Sequence, residues 1–150
     1  MRVWPNDLDV FMHVNNGVYL SLCDLGRLDL MMRSRTYGPA TSAGRVFMVA
    51  AETIQLRSAL KLFQRFQLET RVLGWDDRGF FIEHRFIIHD RSGERAIAVA
   101  VVEGRVRDRA RGKVSPAEVV AAIGITDPSP ALPEWVQRWR DDQRALRASA

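Results

Sequence analysis

Polar side chains crowd one short stretch of this chain. Residues 4–19 read WPNDLDVFMHVNNGVY and hold Asp7, Asp9, His13, Asn15 and Asn16. The stretch runs straight into a segment with helical periodicity, so it forms a loop that feeds a helix N-terminus. The first amides of a helix have no acceptor within the helix and can polarise a carbonyl or hold a developing oxyanion. A carboxylate facing them can serve as a nucleophile, or as a base that activates water. That combination suits acyl transfer or hydrolysis. Each residue also has a plainer role: Asp7 as a loop or capping group, Asn15 or Asn16 as the N-cap, and Asp9 with His13 as a local hydrogen bond.

The elements around this loop follow from the apolar pattern. Asn16 to about Arg33 reads as the main helix, with Tyr19, Leu22, Gly26 and Leu30 or Met32 near one stripe. Gly26 in mid-helix costs about 1 kcal/mol relative to alanine, which a close approach to another backbone would explain. Arg2–Trp4 reads as a strand end stopped by Pro5. Four strands follow the helix, over 46–56, 66–75, 80–89 and 94–107. Turns at Asp76–Gly79 and Asp90–Gly93 make two successive hairpins, and hence antiparallel pairing. The last strand is apolar on both faces: Ala96, Ala98, Ala100, Val102 and Gly104 on one, Ile97, Val99 and Val101 on the other. The small residues suit a helix lying close, and the second apolar face calls for a partner subunit. The expected class is α+β, an antiparallel sheet wrapped around one long helix. Ser115-Pro116 opens a short helix ending at Gly124. Residues 126–133, TDPSPALP, read as a linker, and 134–148 as an amphipathic helix lying on the body as a flap.

Composition narrows the partners. The chain has 150 residues, 47% hydrophobic and 27% charged, with a formal net charge of +4. This is an ordinary globular balance for one domain, with no large positive field for nucleic acid. The single Cys23 excludes an internal disulfide and any multi-cysteine zinc site. Three scattered histidines offer no metal spacing, and no metal or cofactor is expected. No run approaches the roughly 20 apolar residues of a bilayer span, and no signal-peptide layout is present, so a cytoplasmic location is expected.

The stretch Trp4-Pro5-x-Asp7-Leu8-Asp9-x-x-x-His13-Val14-Asn15-Asn16-x-x-Tyr19-Leu20 resembles the signature of hotdog-fold acyl-CoA thioesterases of the 4-hydroxybenzoyl-CoA thioesterase-like group. Asp24-x-Gly26-Arg27-x-Asp29-Leu30 and Leu73-Gly74-Trp75-Asp76-Asp77-Arg78-x-Phe80 resemble the branch that contains the animal thioesterase superfamily member six proteins. The likeness runs through residues 2–124, which implies a hotdog domain over 1–124, with linker and helix over 125–150. It implies a homodimer or dimer of dimers, with sites where subunits meet. It implies an acyl-CoA or acyl-carrier-protein thioester as substrate, and a role in lipid metabolism. By resemblance the catalytic carboxylate falls on Asp9, with His13 assisting it. The amide that holds the thioester carbonyl falls near Asn16, with Gly17 beside it, and Asn15 fixes the loop. Phe11 stands where the acyl-carrier-protein enzymes and the hotdog hydratases carry asparagine, which speaks against a hydratase. A binding protein that kept the fold without catalysis is the other reading.

The CoA phosphates need cations. Arg105, Arg107, Arg109, Arg111 and Lys113 form a basic run, and Arg57 and Arg65 flank a strand connection. Arg57, Arg105 and Arg107 are the candidates for phosphate docking; a solvated strand end is the plainer reading of the run. Nucleic acid is a poor fit, because no aromatic platform accompanies it. Glu52 interrupts an apolar strand, either as a polar-face residue or as a second acid or base. His84 and His89 read as surface or hydrogen-bonded residues, and Cys23 as a packed one. Met12, Met31, Met32 and Met48 read as core, with lining of an acyl tunnel as the functional alternative.

Overall fold

The structure is a computed structural model, which describes residues 1–38 and 44–149. Pro5–Asp7 makes one 3₁₀ turn, capped by Asp7, whose Oδ2 accepts from Trp4 N at 2.7 Å. Helix α1 spans Asn16–Arg33. Strands β1 (Arg45–Leu56), β2 (Gln67–Trp75), β3 (Phe80–Asp90), β4 (Gly93–Asp108) and β5 (Gly112–Val114) follow. Helices α2 (Pro116–Ala121) and α3 (Glu134–Ala148) close the chain. Within the described residues, the strand bounds differ from the sequence reading by one residue at most, and β5 is the strand that reading missed. The basic run of 105–113 leads into it: Asp108 Oδ1 accepts from the amides of Ala110 and Arg111 at 2.8 and 3.0 Å, which turns the chain back onto β4.

The sheet order is β1-β4-β3-β2, all antiparallel, with β5 paired to the end of β4. The sheet curves around α1, so the molecule is an α+β hotdog. The α1 face of β4 is lined by Ala98 and Ala100, which admit Tyr19 and Cys23 into one core cluster with Phe86. Tyr19 and Phe86 meet edge to face at 5.1 Å. Ile97 joins this cluster, although strict alternation places it on the far face. The register slips between Phe86 and Ile87, which pair with Ala98 and Ala96, so Ile97 is the extra residue of a bulge.

The close approach expected at Gly26 is real, but its neighbours are side chains. A β-carbon there would lie 2.4 Å from Thr70 Oγ1 and 3.2 Å from His84 Nδ1.

The second face of β4 does not call for a partner subunit. Val101 and Phe81 are fully buried against Val136 of α3, and Phe81 meets Trp139 edge to face at 6.4 Å. Arg147 of α3 bonds the buried Glu103 at 2.7 Å, and Arg144 reaches Asp76 at 2.7 Å. The proline-rich segment before α3 is held as well. Ser129 Oγ accepts from Trp75 N at 2.7 Å, and a β-carbon on Gly74 would lie 2.8 Å from Pro130 O. No helix among the described residues is long and apolar enough to cross a membrane.

Candidate active site

The polar loop folds into a tight turn braced against the body. Leu8 bridges Val14, and His13 bridges Lys61. Asp9 N donates to His13 O at 2.8 Å, and Asn15 N donates to Asp7 O at 2.9 Å. Met12 takes a left-handed conformation, with φ of 61°, to close the turn. Asp9 Oδ1 accepts from the amides of Phe11 and His13 at 2.9 and 3.2 Å. Its Oδ2 has no hydrogen-bond partner among the described residues. One oxygen of this carboxylate builds the loop, and the other remains available for chemistry.

Asn15 is the N-cap of α1, its Oδ1 accepting from Gly17 N at 2.8 Å. The Gly17 amide is therefore already paired, and the Val18 amide donates to Asn15 O, whereas the Asn16 amide has no acceptor among the described residues. Asp9, His13, Asn16, Tyr19, Arg57 and Ser58 line one open pocket of about 300 Å³. Tyr19 Oη accepts from Leu60 N at 3.3 Å, which ties the helix to the 57–60 connection. Tyr19 and Ser58 escaped the sequence reading as pocket residues; only the return of the chain at 57–60 brings Ser58 to Asp9.

Arg57 thus joins Asp9, His13 and Asn16, whereas Arg105 and Arg107 do not. They pair across β4 with Met48 and Val46, at the end of β1 opposite Leu56 and Arg57. Arg105 is held by Glu103 at 2.7 and 2.8 Å. Burial alone would raise the Glu103 carboxyl; the hydrogen bonds from Arg147 and Arg105 outweigh that and hold it below the usual range. Glu52 is exposed on β1. His89 is exposed, whereas His84 is fully buried. The Arg27 guanidinium, which only donates, lies 3.4 Å from His84 Nε2; Nδ1 therefore carries the proton toward Thr70 Oγ1 at 2.9 Å. Burial, reinforced by the Arg27 charge, pushes the His84 pKa down to about 4. Burial, reinforced by Glu52 and Asp24 against the opposing pull of Arg27, pushes the Cys23 thiol up to about 12, so it is no ready nucleophile.

A second cavity, of about 330 Å³, lies at the other end of α1. It is walled by Leu28, Met31, Phe47, Met48, Trp75 and Ile82, with Val119 and Val120 of α2 as its cover. Met31 and Met48 therefore line the cavity, and Met12, Met32 and also Met48 are exposed. Among the described residues no group of three or more His, Cys, Asp or Glu is placed to hold a metal.

Comparison with known proteins agrees with this architecture. Protein THEM6 of Xenopus laevis is 39% identical over 85 residues, which cover 57% of this chain and 41% of that protein. Protein THEM6 of Danio rerio is 29% identical over 149 residues, covering 99% of this chain and 73% of that one. The chain thus spans less than half the length of the first relative. The crystal structure of YbaW, a probable thioesterase from Escherichia coli, superposes with a TM-score of 0.73 at 18% identity, over 85% of this chain and 96% of that chain. The profile described as the thioesterase-like superfamily matches residues 3–140, and the chain belongs to that family.

Proposed function

We propose that the protein hydrolyses an acyl thioester, of CoA or of an acyl-carrier protein, to the free acid and thiol. The observation that carries this reading is the convergence of Asp9, His13, Asn16 and Arg57 on one pocket at the start of α1. The Asn16 amide points the positive end of the helix at the thioester oxygen. Asp9 Oδ2 takes a proton from water as the water oxygen bonds the carbonyl carbon. The tetrahedral oxyanion collapses, the C–S bond breaks, and the leaving sulfur takes up the proton. In the covalent variant Asp9 bonds the carbonyl carbon and the C–S bond breaks to release the thiolate; water then cleaves the resulting anhydride to free acid and the Asp9 carboxylate, and its released proton goes to the thiolate. His13 positions Asp9 or shuttles the proton, and Asn15 holds the loop through the Gly17 amide. The apolar cavity between α1, the sheet and α2 supports an apolar acyl group.

The same reading includes a dimer formed through β1. β1 is one of the two edge strands of the sheet, and its Val46, Met48 and Val49 are 43–45% exposed. Antiparallel pairing of β1 with a second copy would set the Leu56 end of one chain beside the Arg45 end of the other. Such pairing would bring the Asp9 pocket of one copy next to the apolar cavity and the Arg107 end of the other.

Thiol release from short, medium, long-chain and aromatic acyl-CoAs tests the function. Turnover on at least one of them is expected. Binding of acyl-CoA with no thiol release would make the chain a thioester-binding protein instead.

A further inference from the structure

Five large apolar side chains stand in solvent beside the Asp9 pocket, and no step of the proposed hydrolysis uses them. Val10, Phe11 and Met12, at the tip of the polar loop, are 61–90% exposed, and Trp4 and Phe63 are 52–53% exposed. Backbone pairing brings their segments together. Arg2 bridges Arg65, and His13 bridges Lys61. Val3 N donates to Gln64 O at 3.0 Å, and Val14 N to Leu60 O at 3.3 Å. The first residues of the chain and the loop that carries the tip therefore both lie along the connection between β1 and β2. Trp4 and Phe63 meet edge to face at 6.2 Å. Alternation from the Arg2–Arg65 bridge sets these two rings on the face of the two arginines, with Val3 turned inward and buried.

Both apolar tips are held out at a conformational cost. Met12 and Phe63 take left-handed backbone, with φ of 61° and 60°, although neither is glycine. Bulky residues rarely adopt it, and such strain concentrates at functional segments. The charge around the tips is basic. Residues 1–14 and 57–66 hold Arg2, Arg57, Lys61 and Arg65 against Asp7 and Asp9. Those two carboxylates are engaged in their own loop, Asp7 by Trp4 N and Asp9 by the Phe11 and His13 amides. Asp90, which lines a neighbouring hollow with Lys61, is matched by Arg95 at 3.2 Å. Arg2, Lys61 and Arg65 are exposed and form no ion pair among the described residues. The face thus combines projecting apolar groups with uncompensated cations, a pattern that marks an interaction surface.

We propose that this face docks the protein on the surface of an anionic phospholipid bilayer, with the 10–12 tip, Trp4 and Phe63 inserted at the headgroup level and the cations set against the lipid phosphates. The apolar groups project from turns instead of lining a groove, so they suit entry between lipids rather than reception of a peptide. An indole ring is favoured at that boundary. Asp9 and His13 flank the tip and line the pocket of about 300 Å³, so a docked chain would hold that pocket at the lipid surface. The docking holds or fails independently of the hydrolase reading.

Co-sedimentation of the full chain with phosphatidylcholine vesicles containing about one third phosphatidylglycerol tests the docking without any thioester. Binding is expected, weakened about tenfold by Val10→Ser with Phe11→Ser, about fivefold by Arg65→Gln, and strongly by high salt. Arg109→Gln, the same change beyond the far end of β4, leaves binding close to that of the parent. No sedimentation at millimolar lipid, equal binding to pure phosphatidylcholine, or binding that neither variant weakens overturns the proposal. Light scattering in the absence of lipid tests a second copy as the occupant: a lower mass for the Val10→Ser/Phe11→Ser chain than for the parent assigns the tip to a contact between copies and overturns the proposal too. If the thermal midpoint shows that the doubly substituted loop does not fold, Arg65→Gln, an exposed side chain outside the loop, gives the reading. Vesicle binding without any thiol release supports the docking and removes the hydrolase reading only. Thiol release without vesicle binding removes the docking only.

Discussion

Asp9→Asn separates the two jobs of this carboxylate. The amide oxygen still accepts from Phe11 N and His13 N, so the turn survives, while the basic oxygen is gone. Thiol release on the best acyl-CoA is expected to fall about 10²–10⁴-fold with an unchanged melting temperature. Parent-like turnover would remove Asp9 from the chemistry. His84 makes a different residue-level prediction. Its pKa in the fold is near 4 against an ordinary 6.5, so the unfolded chain binds more protons between these values. Stability from this group is present above pH 6.5 and is lost as pH falls to 4, by up to about 3 kcal/mol. Urea unfolding at pH 7 and pH 4.5 is expected to show the loss, and His84→Gln to reduce its slope with pH.

Gly26 belongs to the scale of the element. It is the point where α1 presses on β2 and β3, because Thr70 and His84 occupy the space of a β-carbon. Thr70 cannot swing aside cheaply, since it is β-branched and bonded to His84 Nδ1. Gly26→Ala gains helix propensity but overpacks the contact, for a net cost of about 1–3 kcal/mol. Denaturant melts of the variant check this; a stabilised protein would mean that α1 can lift from the sheet. Displacement of α1 also moves the Asn16 amide relative to Asp9, so activity is expected to fall with stability.

The whole molecule has two sides with different coverings. On the outer side α3 acts as part of the body: Val136 is fully buried, and Arg147 neutralises Glu103. Val136→Ala is expected to cost about 1–3 kcal/mol, read as a lower unfolding midpoint. An unaffected midpoint would mean that α3 undocks freely. At the sheet edge, β1 exposes apolar side chains and unpaired backbone groups, a template for a second copy. Light scattering is expected to give at least twice the chain mass, and Met48→Glu to reduce it to one chain with loss of turnover. A fully active single chain would end the shared-site reading.

Much of this protein follows from local pattern. Helix α1, the two hairpins and their turn residues are short-range features, and each lies in the structure where periodicity and turn chemistry put it, although the buried face of α1 runs through Tyr19, Cys23, Gly26 and Arg27 and leaves Met32 exposed. The spacing of Asp9, His13, Asn15 and Asn16 carried the candidate site in the same way, because a loop and the helix start after it are neighbours in sequence. Long-range pairing was beyond such reading. That β1 lies beside β4, with 57–60 returning to the Asp9 loop, depends on which strands meet, and no local signal encodes that. Ile97 changed faces because a bulge inserts one residue, which alternation cannot anticipate. Arg105 and Arg107 left the Asp9 pocket because β4 carries them the length of the sheet away from it, whereas Arg57 reached that pocket through the chain's return. The second apolar face of β4 found its cover in α3, an element some thirty residues on, since burial is decided by whichever apolar surface the folded chain brings nearest.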